Sequence, residues 1–145
     1  MIGDILAAMI GTIAFSALFG VPSRYYIYCG AIGAAGWSAY ALLTPFCGRT
    51  VSCFLAAMLV ILLSRFVAIW KQCPVTIFLI SGIFPLVPGA GIYWTAYYIV
   101  TDQLSQAAST GYQALQEAAA IVLGIVFVFE IPQKWFLRAL NQDKI

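Results

Sequence analysis

The sequence predicts an all-α fold: a polytopic membrane helical bundle of about five transmembrane helices, the fourth broken at a Pro-x-x-Pro-Gly element. Three observations lead there. Of 145 residues, 63% are hydrophobic and only 8% charged, with a mean hydropathy of +0.98. Uncharged stretches recur at lengths near or above the roughly 20 residues that cross a hydrocarbon core. The basic residues fall almost entirely on one side of the resulting scheme.

Composition sets the solvent. A soluble domain carries about 25% charged residues, and a chain this poor in charge has too little polar surface to cover a water-exposed globule of its size. Histidine is absent, which removes the commonest metal ligand. The cysteines, Cys29, Cys47, Cys53 and Cys73, form no CxxC pair, so they read as small apolar packing residues rather than a zinc site. The sequence implies no metal and no cofactor, and a net charge of +2 is too small for a nucleic-acid surface. Cys47 and Cys53 flank a short loop, and their spacing leaves a disulfide open. No Lys or Arg precedes the first apolar run, so that run is expected to be a retained span rather than a cleaved signal.

The spans follow in order, within one transmembrane domain over 1–145. Ile5 to Ser23 is uncharged and gives a first span near 5–22, and Tyr25 to Gly48 is uncharged and gives a second near 25–44. Thr50 to Trp70 carries only Arg65 and gives a third near 50–70. Gln72 to Thr101 is again uncharged and gives a fourth near 75–101, broken near 85–91. Ala118 to Phe129 is too short alone, so the fifth span needs about 111–136. An odd count puts the termini on opposite sides. With the C-terminus cytoplasmic, Arg24, Arg65, Lys71, Lys134, Arg138 and Lys144 lie inside and only Arg49 outside, the bias that the positive-inside rule demands. Small residues at Gly3, Ala7 and Gly11, and at Gly30, Ala34 and Ser38, repeat every four positions and predict close helix contacts. Tyr25, Tyr26 and Tyr28 are expected at one interface, Tyr97 and Tyr98 at the other.

The fourth span carries the candidate chemistry. Pro85-Leu-Val-Pro88-Gly89-Ala-Gly91 sits in the middle of an apolar run. Proline removes a backbone donor and clashes with the carbonyl four residues back. Backbone that leaves the helix at membrane depth has to be buried in protein or line a wet cavity. An unwound segment here would aim the N–H groups and positive end of a second half-helix at an anionic group, as transporters do. A plain proline kink between packed helices is the competing reading, and the residues alone leave both open. The candidate substrate-binding residues are Pro85, Pro88, Gly89, Gly91 and Tyr93, the last one turn into the second half-helix.

Ionisable residues at membrane depth are costly and are candidates for function. Gln106, Thr110, Gln113 and Glu117 fall on one helical stripe, so Glu117 is a candidate coupling or gating residue. Arg24 and Arg65 are candidates for the same role, each with a simpler alternative: Arg24 as a topology anchor, Arg65 as a side chain snorkelling to the headgroups. Glu130 and Lys134 are spaced for a structural ion pair.

Several segments resemble one family. Phe15-Ser-Ala-Leu-Phe19-Gly-Val-Pro-Ser-Arg24, the glycine-rich run Gly30 to Gly36, Ser64-Arg65 followed by Pro74, and above all Pro85-Leu-Val-Pro88-Gly89-Ala-Gly-Ile-Tyr93 are similar to the threonine/serine exporter (ThrE) family. The resemblance covers roughly Phe15 to Val100. The short length resembles the small-subunit type of that family's split exporters. It implies a bacterial inner-membrane exporter that pairs with a larger multi-span subunit and moves threonine, serine or C4-dicarboxylates such as succinate. No enzyme activity is expected, because no nucleophile–base or metal constellation is visible in the sequence. A non-transporting assembly subunit of a larger membrane complex is the alternative.

Overall fold

The structure is a computed structural model and describes residues 2–131. Lys134, Arg138 and Lys144, the end of the expected fifth span and the expected Glu130–Lys134 pair lie outside the described residues. Every described element is helical: α1 (Ile2–Leu18), α2 (Tyr26–Lys71), α3 (Thr76–Ile83), α4 (Gly89–Val100) and α5 (Leu104–Phe129), with short 3-10 turns at Ser23–Tyr25 and Phe84–Leu86. An all-α membrane bundle is what a chain with these apolar runs must build, because lipid offers no partner to an unpaired backbone group.

Two helical stretches are long and apolar enough to cross a membrane, 23–71 and Leu104–Phe129, and the pair Thr76–Leu86 and Gly89–Val100 passes the same test together across a 50° bend. The first of these is a hairpin. Gly48 in α2 has φ 76° and ψ 168°, a conformation that only glycine adopts without strain. In a straight helix Tyr28 and Trp70 would stand about 63 Å apart, yet their rings lie 6.1 Å apart, edge to face. Lys71 Nζ sits 4.7 Å from the Tyr28 ring, and a Cβ on Gly36 would overlap Val60. Residues 26–47 and 49–71 are therefore antiparallel arms, each of membrane-crossing length.

The hairpin forms the centre of the bundle. Cys29, Ile32, Cys53, Ala56, Ala57, Val60 and Phe78 make its buried core. α1 packs on the first arm, where a Cβ on Gly33 would overlap the Thr12 hydroxyl and one on Gly30 would come within 2.8 Å of Ile13. The close approaches are thus at Gly30, Gly33 and Gly36, every third residue, because the hairpin turns that face towards both α1 and the second arm. Gly3 and Gly11 have nothing within 4 Å of a built Cβ, so the four-residue spacing in α1 marks no helix contact here. Buried hydroxyls bond within their own helices: Thr12 Oγ1 donates to Ala8 O at 2.7 Å, and Ser64 Oγ to Val60 O at 2.7 Å. Every buried side-chain polar atom among the described residues has a partner.

Helix ends are closed by their own backbone. After α1, Val21 N donates to Ser16 O and Gly20 N to Ala17 O, with Gly20 at φ 70°, a Schellman turn. The same paired bonds recur at Gln72 and Asp102, both with positive φ. Arg65 closes the end of α5 from outside. It is 7% exposed, and its Nη1 donates to Val128 O at 2.5 Å and Ile131 O at 2.9 Å. A cation on the last carbonyls of a helix is favoured by the helix dipole. All four cysteines are free thiols, with Cys47 exposed and Cys53 buried.

Candidate functional site

The chain leaves α-helical geometry where the prolines are. Phe84–Leu86 forms a 3-10 turn, Val87 is extended at φ −61° and ψ 129°, and Pro88 at φ −75° and ψ 55° precedes α4. Pro85 cannot donate to Ser81, and Pro88 cannot donate to Phe84, so two rungs of the ladder are missing. Local bonds take up part of the loss: Val87 N donates to Phe84 O at 3.2 Å, and Gly89 N to Val87 O at 2.7 Å. The freed carbonyl of Leu86 accepts the buried Cys53 thiol at 3.9 Å. Intrahelical bonding resumes with Ile92 N to Pro88 O at 3.1 Å. Ala90 and Gly91 fall in the first turn of α4, where a helix supplies its own N–H groups with no acceptor.

That first turn opens on a cavity of about 290 Å³, close to the lower end of the range for small-molecule sites. Its floor is the break itself, including Pro85, Pro88, Gly89 and Gly91. One wall is the first arm of α2, through Trp37 and Tyr40; Trp94 of α4 adds a further aromatic side. The other wall is α5, through Thr110, Gln113 and Glu117. Arg49, one residue beyond the Gly48 reversal, completes the lining. The cavity therefore joins backbone donors, one cation, one carboxylate and aromatic surfaces in a space suited to a small polar solute.

The sequence-predicted residues divide around this cavity. Pro85, Pro88, Gly89, Gly91 and Glu117 line it together, although 26 residues separate Gly91 from Glu117 in the chain. Of the polar stripe on α5, Thr110, Gln113 and Glu117 line the cavity, whereas Gln106 is exposed and does not. Tyr93 is 63% exposed, packs edge to face on Trp94 at 5.4 Å and is not part of the lining. Arg24 is exposed at the opposite end of the bundle, its guanidinium 4.7 Å from the Tyr25 ring. Arg65 holds the end of α5, away from the cavity. Among the four described basic residues, only Arg49 stands at the Gly48 end. The sequence uses Arg49 for orientation alone; its one signal is that it is the lone basic residue expected on its side of the five-span scheme.

Tight contacts fix the walls. A Cβ on Gly91 would come within 3.0 Å of the Ala114 Cβ, and one on Gly111 within 3.1 Å of Thr95, so α4 and α5 are packed backbone to backbone. Gly124 in turn seats α5 on the second arm of α2, where a Cβ would come within 3.0 Å of Phe54 O. α4 has no buried residue of its own, so its outer face is uncovered.

Two apolar half-helices meeting at a 50° break, with the start of the second facing a cavity that polar side chains help to line, make an arrangement that secondary transporters use. No solved structure matches the chain. The family model described as threonine/serine exporter, ThrE, matches residues 4–131, a stretch that includes the hairpin, the break and all of α5. On that match, with the apolar helices in place, the chain is a membrane protein of exporter type and belongs to the threonine/serine exporter family.

Proposed function

We propose that this chain is the small subunit of a two-component secondary exporter for small carboxylate-bearing solutes, either threonine- and serine-type amino acids or C4-dicarboxylates such as succinate. The observation that carries the reading is the first turn of α4: its N–H groups, beside Arg49, border the cavity formed at the break. A carboxylate seated there would gain backbone hydrogen bonds, the helix dipole and a guanidinium partner. Thr110, Gln113 and Glu117 offer polar partners for the rest of a small solute.

Two features favour a second subunit. Among the described residues the cavity is walled by the hairpin, the break, α4 and α5, too few helices to enclose a site from both sides of a membrane in turn. The uncovered outer face of α4 leaves room for a larger multi-span partner. Reconstituted alone, the chain is expected to give no efflux above empty liposomes; with a larger multi-span partner subunit it is expected to export. Robust efflux from the chain alone overturns the two-component reading. Absence of efflux from the pair, across amino acids and dicarboxylates, would leave the assembly-subunit reading instead.

The orientation that goes with this function has five crossings of a bacterial inner membrane, with the N-terminus outside and the C-terminus cytoplasmic. The separation of Arg24, Arg65 and Lys71 from Arg49 among the described residues supports it. A reporter fused after Ile145 is expected to be active only in its cytoplasmic form. A periplasmic-type signal there sinks the five-span scheme.

A further inference from the structure

Among the described residues the cavity lining contains one side-chain cation and one side-chain anion, and they come from different parts of the bundle. Arg49 follows the reversal of the α2 hairpin, while Glu117 sits in α5, half-buried and one turn beyond Gln113. The start of α4 adds the positive end of a helix dipole to the same lining. The fixed side-chain charges cancel, which suits a solute that itself carries one carboxylate and one ammonium group. A dianion would satisfy Arg49 with one carboxylate and bring the other into the field of Glu117. Like charges in a partly desolvated site are disfavoured strongly enough to separate ligands of equal size.

We propose that Glu117 is the residue that sets the charge class of the transported solute, favouring a zwitterionic α-amino acid over a C4-dicarboxylate. This inference rests on the exporter reading above and assigns what that reading leaves open. In it, Arg49 and the first-turn N–H groups of α4 hold the α-carboxylate of the amino acid or one carboxylate of the dicarboxylate. Glu117 meets the ammonium group of the amino acid and repels the second carboxylate of the dicarboxylate. Trp37, Tyr40 and Trp94 line the same space and limit it to a small solute, with Glu117 half-buried and Arg49 exposed at its edge.

The test uses the chain together with its larger partner in proteoliposomes loaded with L-threonine and succinate at equal concentration, with efflux normalised to protein in the membrane. Wild type is expected to favour threonine. Glu117→Gln is expected to lower the threonine-to-succinate ratio at least tenfold, and Glu117→Asp to restore most of it. Arg49→Gln is expected to lower both rates at least tenfold, because both solutes use that cation. Gln113→Glu, an exposed lining position that tolerates a charge, supplies an independent variant and is expected to depress succinate at least tenfold more than threonine. Equal losses for both solutes in Glu117→Gln overturn the proposal and assign Glu117 to ion coupling or folding. A wild-type complex that prefers succinate overturns it as well. A wild-type complex that moves neither solute overturns the exporter reading itself, a result distinct from an exporter whose selectivity ignores Glu117.

Discussion

The double variant Pro85→Ala/Pro88→Ala, expressed with the partner subunit, is expected to reach the membrane at normal levels and to lose most of its efflux. Alanine favours a helix over proline by roughly 3 kcal/mol at each position on intrinsic propensity. Both substitutions restore a backbone donor where one is missing, the first aimed at Ser81 O and the second at Phe84 O. A continuous ladder would then carry Ala90 N–H to Leu86 O and Gly91 N–H to Val87 O, so neither would remain to meet a solute. Packing opposes that change: Leu86 is 5% exposed and its carbonyl accepts the Cys53 thiol, contacts that a straightened helix loses. The propensity gain of about 6 kcal/mol for the pair is larger than what one thiol bond and one leucine supply. Efflux normalised to membrane-inserted protein is the measurement. Full efflux from the double variant would remove this segment as the solute site.

The helical membrane class is legible in the sequence because it depends on composition and run length alone, which are properties of the chain and not of its packing. The break is legible for a related reason: Pro85 and Pro88 act on carbonyls four residues away, within about one turn. The hairpin reversal needs only that Gly48 be glycine, although nothing local says that the arms will close on each other. Arg49 is not legible as a cavity residue. Its position there depends on how the hairpin tip meets α4 and α5, contacts between segments about 40 to 70 residues apart. Tyr93 shows the converse limit. A helix turns about 100° per residue, so the phase of α4 after a 50° bend decides which side chains look inward. Trp94, itself partly exposed, lines the cavity, and Tyr93 does not. The small-residue stripes reveal that helices approach closely without saying where; Gly33 and Gly36 make the contacts that Gly3 and Gly11 do not.

Gly89→Leu and Gly91→Leu, two residues apart, are expected to fail in different ways. A Cβ built on Gly89 meets nothing within 4 Å and points into open space at a position that lines the cavity. Leucine there adds about four heavy atoms to a space of about 290 Å³ beside the first-turn N–H groups. The bundle is expected to assemble with near-wild-type thermal stability in detergent while efflux falls at least tenfold. Gly91 is different, because a Cβ there would come within 3.0 Å of the Ala114 Cβ and 3.7 Å of its Cα. Neither helix can yield locally, since the obstructing atoms belong to backbone or are bonded directly to it. Leucine must therefore push α4 off α5, and overpacking of this kind costs about 1–3 kcal/mol or more. Gly91→Leu is expected to lower the unfolding temperature and the yield of the folded complex, with efflux lost as a consequence. Tyr93→Phe, outside the lining, is expected to weaken efflux far less than Gly89→Leu. The comparison is read from melting curves of the purified complex alongside efflux per folded molecule. A stable Gly89→Leu complex with undiminished efflux would place the solute path elsewhere, and a Gly91→Leu complex as stable as wild type would show that α4 and α5 are not in backbone contact.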